Sequence, residues 1–399
     1  MDVDVEAIRR ARAVIPEIVR VTPVVPSGTL TDTVGGVVVL KAENLQRTGS
    51  FKIRGAMNTL ASLGVRARAG VTCGSAGNHA QALALAAAHH GVPCEIFVPT
   101  GAPISKIDAC RSFGATVTEV GASLSEAVRE SLDLADARDM AFCHPYDDPI
   151  VVAGQGTLGL ELLDDIADLA TVVVPLGGGG LAAGTAIAVK SVLPHARVIG
   201  VQAAACAPYA GQPAPEGPIV TLADGIAVKS PGEVTRPLVE RWLDDVVTVD
   251  EDAIADAMVL LMERTKLYVE GAGAVGAAAL LSGAVAPAAS GTTCVVLSGG
   301  NVDLGVVPGL IRRHENESGR RLMVFARIDD RPGGLATLLA VFADGGANLI
   351  EVEHVREGID LHVRETGVHA TFEVRGRDHA QRLLDAAADA GYHLRAEGP

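Results

Sequence analysis

The chain has 399 residues, of which 48% are hydrophobic, 20% charged and 3% aromatic, with 45 glycines and a formal net charge of −15 at pH 7. The length exceeds one compact core, and the composition is globular with small apolar side chains, which excludes a disordered chain. Its acidity and the lack of a basic cluster interleaved with aromatics exclude a nucleic-acid partner, and no run is apolar and long enough to span a bilayer.

The opening segment MDVDVEAIRRARAVIPEIVR lacks the apolar stretch of a signal peptide, so a cytoplasmic protein is expected. The cysteines (Cys73, Cys94, Cys110, Cys143, Cys206, Cys294) show no C-x-x-C pair and no ligand spacing. They read as small buried hydrophobes in a reducing compartment, and no metal site is expected.

Through about residue 312, β-branched runs alternate with Ala/Leu helical segments. GVVVLK, AGVTCGS, CEIFVP, ATVTEV, TVVVPLGGGG, ARVIGVQ and TTCVVLSGG read as buried strands, several entering glycine turns directly. Such strands, separated by helices, predict an α/β class with parallel-type sheets.

Early in this region, TGSFKIRG sets Lys52 between Phe51 and Ile53 at a helix start. An apolar setting disfavours the ammonium and leaves a nucleophilic amine able to form an imine with an aldehyde. A snorkelling lysine or a buried ion pair is the ordinary explanation of such a triplet alone. Next, TCGSAGNHAQALALAA leaves a strand and opens a helix. Ser75, Ala76, Gly77, Asn78 and His79 would there present backbone donors to a carboxylate, although a plain helix cap at Ser75 or Asn78 needs no ligand.

Gly177, Gly178, Gly179 and Gly180 stand between a strand and an Ala-rich helix, where successive N–H groups and the helix N-terminus can hold an anion. A tight turn alone does not require four glycines. Gly177, Gly179 and Ala182 also fit the dinucleotide G-x-G-x-x-A spacing, but no acidic residue follows between Asp168 and Glu216. A single phosphate is the expected anion. Later, CVVLSGGNVDL ends a strand with Ser298, Gly299, Gly300 and Asn301 at a sheet's carboxyl edge. Lysine, phosphate loop and carboxylate turn together describe a pyridoxal phosphate enzyme acting on an amino acid.

KAENLQRTGSFKIRGA, SAGNHAQ, GGGGLAAG, TLADGIAV and LSGGNVDL resemble, in this order, the motifs of threonine dehydratases among fold type II (tryptophan-synthase-β-like) pyridoxal phosphate enzymes. The resemblance covers residues 1 to about 312, with a smaller subdomain at roughly 46–150 inserted in the larger. It implies that Lys52 carries the cofactor's Schiff base and takes the α-proton. It also implies that Phe51 packs beside the ring, Asn78 bonds the ring hydroxyl, Gly177 to Gly180 with Leu181 hold the phosphate, and Ser298 faces the pyridine nitrogen. The implied reaction converts L-threonine to 2-oxobutanoate and ammonia, and L-serine to pyruvate.

Serine racemases share the motifs, but their second base is a serine where this chain has Ala76, and Gln202 and Pro208 stand where their cation site has carboxylates. A hydroxyaspartate dehydratase needs an extra basic group, for which the sequence offers no obvious residue. A reading from another class is a non-catalytic amino-acid sensor, which would leave Lys52 unexplained.

The polar RRHENESGRRL predicts a linker at 313–321. Beyond it, residues 322–399 read as strand, helix, strand, strand, helix, strand, a small ferredoxin-like α+β domain. ARIDDRPGGLATLLAVFADGGANLIEVEHVRE resembles an ACT domain, an amino-acid-sensing module. That resemblance implies an effector site at Asp330, Arg331, Pro332, Gly333, Gly334 and Leu335 with Asn348, an effector such as isoleucine or valine, and a homodimer or homotetramer. A purely structural oligomerisation domain is the alternative.

Overall fold

The computed structural model describes residues 3–356 and 362–397. Glu357, the last residue of the expected second C-terminal strand, lies outside them. The chain divides into two compact units, Met1–Val302 and Asp303–Pro399.

The first unit contains β1 (Val24–Pro26), β2 (Val38–Ala42), β3 (Val71–Gly74), β4 (Cys94–Val98), β5 (Thr116–Glu119), β6 (Ala141–Phe142), β7 (Leu169–Pro175), β8 (Arg197–Ala203), β9 (Asp245–Val249) and β10 (Thr292–Leu297). One sheet has the order β1-β2-β10-β7-β8-β9 and a smaller one β5-β4-β3-β6. Every pairing is parallel except β1 with β2. All seven runs expected as strands form them. β1, β6 and β9 are additional: β6 has two residues, β1 includes a proline, and β9 is a half-exposed edge strand whose apolar run is short.

Parallel strands must be covered on both faces, which explains their unbroken Val/Ile/Leu texture. The larger sheet's core joins Val172, Val174, Cys294 and Val296 to Leu158, Leu162 and Ile187 from helices Pro149–Asp165 and Gly180–Lys190. The smaller core joins Val71, Cys73 and Ile96 to Met57, Leu60 and Leu83. Two cores in one unit leave a cleft between the carboxyl ends of β3, β7 and β10.

In the second unit β11 (Arg321–Asp329), β12 (Asn348–Val355), β13 (Glu365–Glu373) and β14 (Leu394–Glu397) form an antiparallel sheet ordered β12-β13-β11-β14. With helices Gly334–Asp344 and Arg377–Asp389 it has the ferredoxin-like order that the sequence predicts. Phe342 stacks on Phe372 with ring centroids 4.1 Å apart inside this core.

The stretch expected as a linker is a correction. Residues 313–317 complete the helix Val307–Glu317, and β11 already starts at Arg321. The charged run hides an amphipathic pattern, with Leu310 buried and Arg313 paired to Glu317 one turn on at 2.7 Å.

Candidate active site

Lys52 opens the helix Lys52–Leu63, and the turn before it is fastened to the end of β10. Phe51 N–H donates to Ser298 O at 3.1 Å, Gly300 N–H donates to Gly49 O at 2.8 Å, and Ser50 bridges to Gly299. Gly49 sits at φ +70°, where a side chain would be strained and would also strike Asn301. The lysine therefore projects from a fixed frame. Its Nζ donates to Pro145 O at 2.8 Å and lies 5.3 Å from the Phe51 ring centroid. Burial pulls its pKa down to about 8, against the opposing pull of the Glu270 charge.

The cavity at this amine measures about 350 Å³, within the range of small-molecule sites. Phe51, Lys52, Ser75 to His79, Gly177 to Gly180, Leu181 and Ser298 all line it. The structure thus brings together the residues expected to bind cofactor and substrate carboxylate, from four separated stretches of sequence.

The glycine loop is shaped by its neighbours. A Cβ on Gly178 would fall 2.2 Å from Tyr146 Cγ, and one on Gly177 would fall 2.9 Å from Ile226 Cα. Gly179 has φ +99° and caps the helix Gly180–Lys190. The Gly178 carbonyl is engaged by the hydroxyls of Thr235 at 2.6 Å and Tyr209 at 3.2 Å. The first intrahelical bond runs from Ala183 N–H to Gly179 O, so the N–H groups of Gly180, Leu181 and Ala182 have no partner within the helix. These donors are available to an anion, while the Gly178 carbonyl is occupied elsewhere.

In the Ser75 to His79 turn, Gly77 N–H donates to Ser75 Oγ at 3.2 Å and Asn78 begins the helix Asn78–His90. His79 is buried, and burial with the nearby Lys52 charge brings its pKa down to about 3. It is a neutral ring bonded to Cys143 O at 2.8 Å, a structural group. His144 likewise accepts from the N–H groups of Tyr146 and Asp147.

Sequence reasoning missed Glu270. It precedes the helix Gly271–Leu281, is 6% exposed, and accepts from Asn78 Nδ2 at 2.7 Å. Burial and the Asp224 charge push its carboxyl up to about 7. Asn301 Nδ2 donates to Asn78 Oδ1 at 2.6 Å, which orients the amide and leaves its second N–H for a ligand. A lone glutamate before a Gly/Ala run was the only signal. Tyr146 and the wall Asp224 to Val228, part of the TLADGIAV motif, also line the cavity.

Residues 15–299 match the family described as pyridoxal-phosphate dependent enzyme. The chain belongs to that family. An L-threonine ammonia-lyase of Geobacter sulfurreducens is 44% identical over 94% of each chain. Another from Thermotoga maritima is 40% identical over 99% of this chain and 100% of its own. Among solved structures, the processed form of threonine deaminase isoform 2 from Solanum lycopersicum is similar with TM-score 0.72 and 32% identity, over 77% of this chain and 87% of that one. Maize serine racemase is similar with TM-score 0.73 and 34% identity, over 79% and 99%.

The residues present fit this family's cofactor. A desolvated amine suits its aldehyde, a glycine-lined helix N-terminus suits its phosphate, and the Asn78 amide with the buried Ser298 suits polar atoms on its ring.

In the second unit Asp330, Arg331, Pro332, Gly333 and Leu335 line an open cavity of about 630 Å³, and Gly334 begins the adjoining helix. Asp330 is held by Arg356 through two bonds of 2.8 and 2.9 Å. Asn348 is not brought to this turn. It pairs with Glu373, which pairs with Arg321 at the opposite end of β11 from Asp329, because β12 runs parallel to β11 two strands away.

Proposed function

We propose that the protein deaminates L-threonine to 2-oxobutanoate and ammonia, with L-serine as a second substrate giving pyruvate. Two relatives named L-threonine ammonia-lyase match at 40 and 44% identity over nearly their whole lengths. The observation that carries the reading within this chain is Lys52, an amine with its pKa lowered to about 8, facing a glycine cradle in one cavity.

Bound pyridoxal phosphate supplies the aldehyde that joins the substrate amine and the conjugated ring that accepts electrons from the α-carbon. The chain supplies the rest. N–H groups of Gly180 and Leu181 bind the phosphate, and the Ser75 to His79 turn orients the substrate carboxylate. Lys52 Nζ, whose pKa burial lowers to about 8, takes the α-proton in its neutral form. Asn78, oriented by Asn301 and Glu270, would bind the ring hydroxyl, Phe51 would pack beside the ring, and Ser298 would face its nitrogen. The α-proton and the β-hydroxyl leave together as water, and the resulting enamine takes up water and releases ammonia.

Solved racemases share the fold, so the fold does not choose between the reactions. Ala76 favours elimination, because this cavity-lining position carries a methyl where the racemases that the motifs resemble have a serine as second base. Incubation with L-threonine should yield 2-oxobutanoate and ammonia in equal amounts, and with L-serine pyruvate without D-serine. Accumulating D-serine, or no 2-oxo acid from threonine, would overturn the assignment.

The second unit is proposed as an ACT domain whose Asp330 to Leu335 turn takes an amino-acid effector such as isoleucine or valine. Because Asn348 is remote from that turn, its part in such a site calls for a second copy, in keeping with a homodimer or homotetramer. The six free, buried cysteines suit a cytoplasmic setting.

A further inference from the structure

Two more charged side chains line the cavity of Lys52. Lys106 comes from the helix Ile104–Ser112 beside the smaller sheet, and Asp224 from the turn Asp224–Ile226 of the larger subdomain. Nζ of Lys106 lies 3.2 Å from Oδ2 of Asp224, an ion pair across the cleft. The lysine side chain is 20% exposed and the aspartate 65%, so the shielded cation depends on its partner more than the wet anion does. Gly225 abuts the buried carboxylate behind them, since a Cβ there would lie 3.7 Å from Glu270 Oε1. Glu270 feels both charges, Asp224 opposing its ionisation and Lys106 favouring it. This wall carries one cation and two carboxyl groups.

We propose that Asp224 and Lys106 set the charge class of the substrate side chain. Asp224 keeps Lys106 engaged, and the wall thereby rejects hydroxyamino acids with a second carboxylate while admitting those with an uncharged β-substituent. The inference rests on reading the site as one for hydroxyamino acids. A β-carboxylate entering the cavity meets the Asp224 charge, the Glu270 carboxyl and a lysine already paired, which is discrimination by repulsion. Removing the Asp224 charge leaves Lys106 to receive that carboxylate in a charge-assisted bond. The reaction balances without oxidant or reductant. From 3-hydroxyaspartate the α-proton and β-hydroxyl leave as water, the enamine regains water, and 2-oxosuccinate and ammonia form.

The holoenzyme, Asp224→Asn, Lys106→Gln and the double variant test this, with Asp224→Ser as a second, smaller neutral choice. Dissociation constants for L-threonine and L-threo-3-hydroxyaspartate are read from the cofactor absorbance band, and ammonia release is followed in parallel. The expected result is a hydroxyaspartate-to-threonine affinity ratio raised about tenfold or more in both Asp224 variants, the scale of one nearby charge in a partly polar site, and lost again in the double variant. An unchanged ratio, an equal gain without Lys106, or wild-type binding of hydroxyaspartate as tight as threonine would overturn it. If threonine releases no ammonia, the deaminase reading fails, and the affinity ratios still decide this inference.

Discussion

Gly178 offers the sharpest test of how the phosphate loop is shaped. An alanine methyl there would lie 2.2 Å from Tyr146 Cγ and 2.3 and 2.4 Å from its Cδ2 and Cδ1, where ordinary contacts are 3.4 to 4 Å. Cγ is the root of the ring, so spinning the ring about its axis does not relieve the overlap. Either the ring leaves its place or the loop retreats, and the loop is held through the Gly178 carbonyl by Thr235 and Tyr209. Overpacking of this kind costs about 1 to 3 kcal/mol. If the loop yields, cofactor affinity falls by roughly 5- to 150-fold. Titrating apoprotein with pyridoxal phosphate by absorbance measures it, with Gly28→Ala as reference because its methyl meets nothing within 4 Å. Truncating the ring should restore affinity, so Gly178→Ala with Tyr146→Ala should show a coupling of about 1 to 2 kcal/mol. Affinity of Gly178→Ala within about twofold of wild type, or strict additivity in the double variant, would refute the steric reasoning.

Lys52 attacks only as a neutral amine, and burial has brought its pKa down to about 8, so cofactor attachment to apoprotein should accelerate with pH around a midpoint near 8. A midpoint near that of free lysine, 10.5, would contradict this. Arg54 bonds the buried Glu43 and Glu161 at 2.8 and 2.6 Å, and Arg54→Met should cost about 3 to 5 kcal/mol in urea denaturation by leaving those carboxylates short of a cation. A loss below about 1 kcal/mol would refute it. Glu270 is raised from 4.5 to about 7. Between those values the unfolded chain ionises while the folded one keeps its proton, so this group's contribution falls as pH rises from 4.5 to 7 and stays lost above. Glu270→Gln apoprotein should gain up to roughly 3 kcal/mol on wild type between pH 4.5 and 8, and parallel stability curves would count against this.

Strands β2, β7 and β10 were legible because burial on both faces writes itself as unbroken apolar runs, and the glycine loop because four glycines exceed what a turn requires. Lys52 was legible through its company. Partnerships set by the tertiary fold were not. Glu270 meets Asn78 across 192 residues, Arg54 meets Glu161 across 107, and Lys106 meets Asp224 across 118. No local pattern encodes such meetings, so the basic group missing from the sequence reading of a hydroxyaspartate site emerged only with the cavity. The end of the helix Val307–Glu317 was hidden for another reason: a charged run that only follows a single buried leucine resembles a linker. Asn348 was placed with the effector turn by family resemblance, and register alone separates them.

Borohydride reduction of the holoenzyme followed by peptide mass spectrometry tests the central claim most directly, because it fixes the cofactor to the amine that holds it. The pyridoxyl mass should appear on the peptide carrying Lys52 and vanish in Lys52→Ala. Labelling of Lys41, Lys106 or any other lysine in place of Lys52 would contradict it.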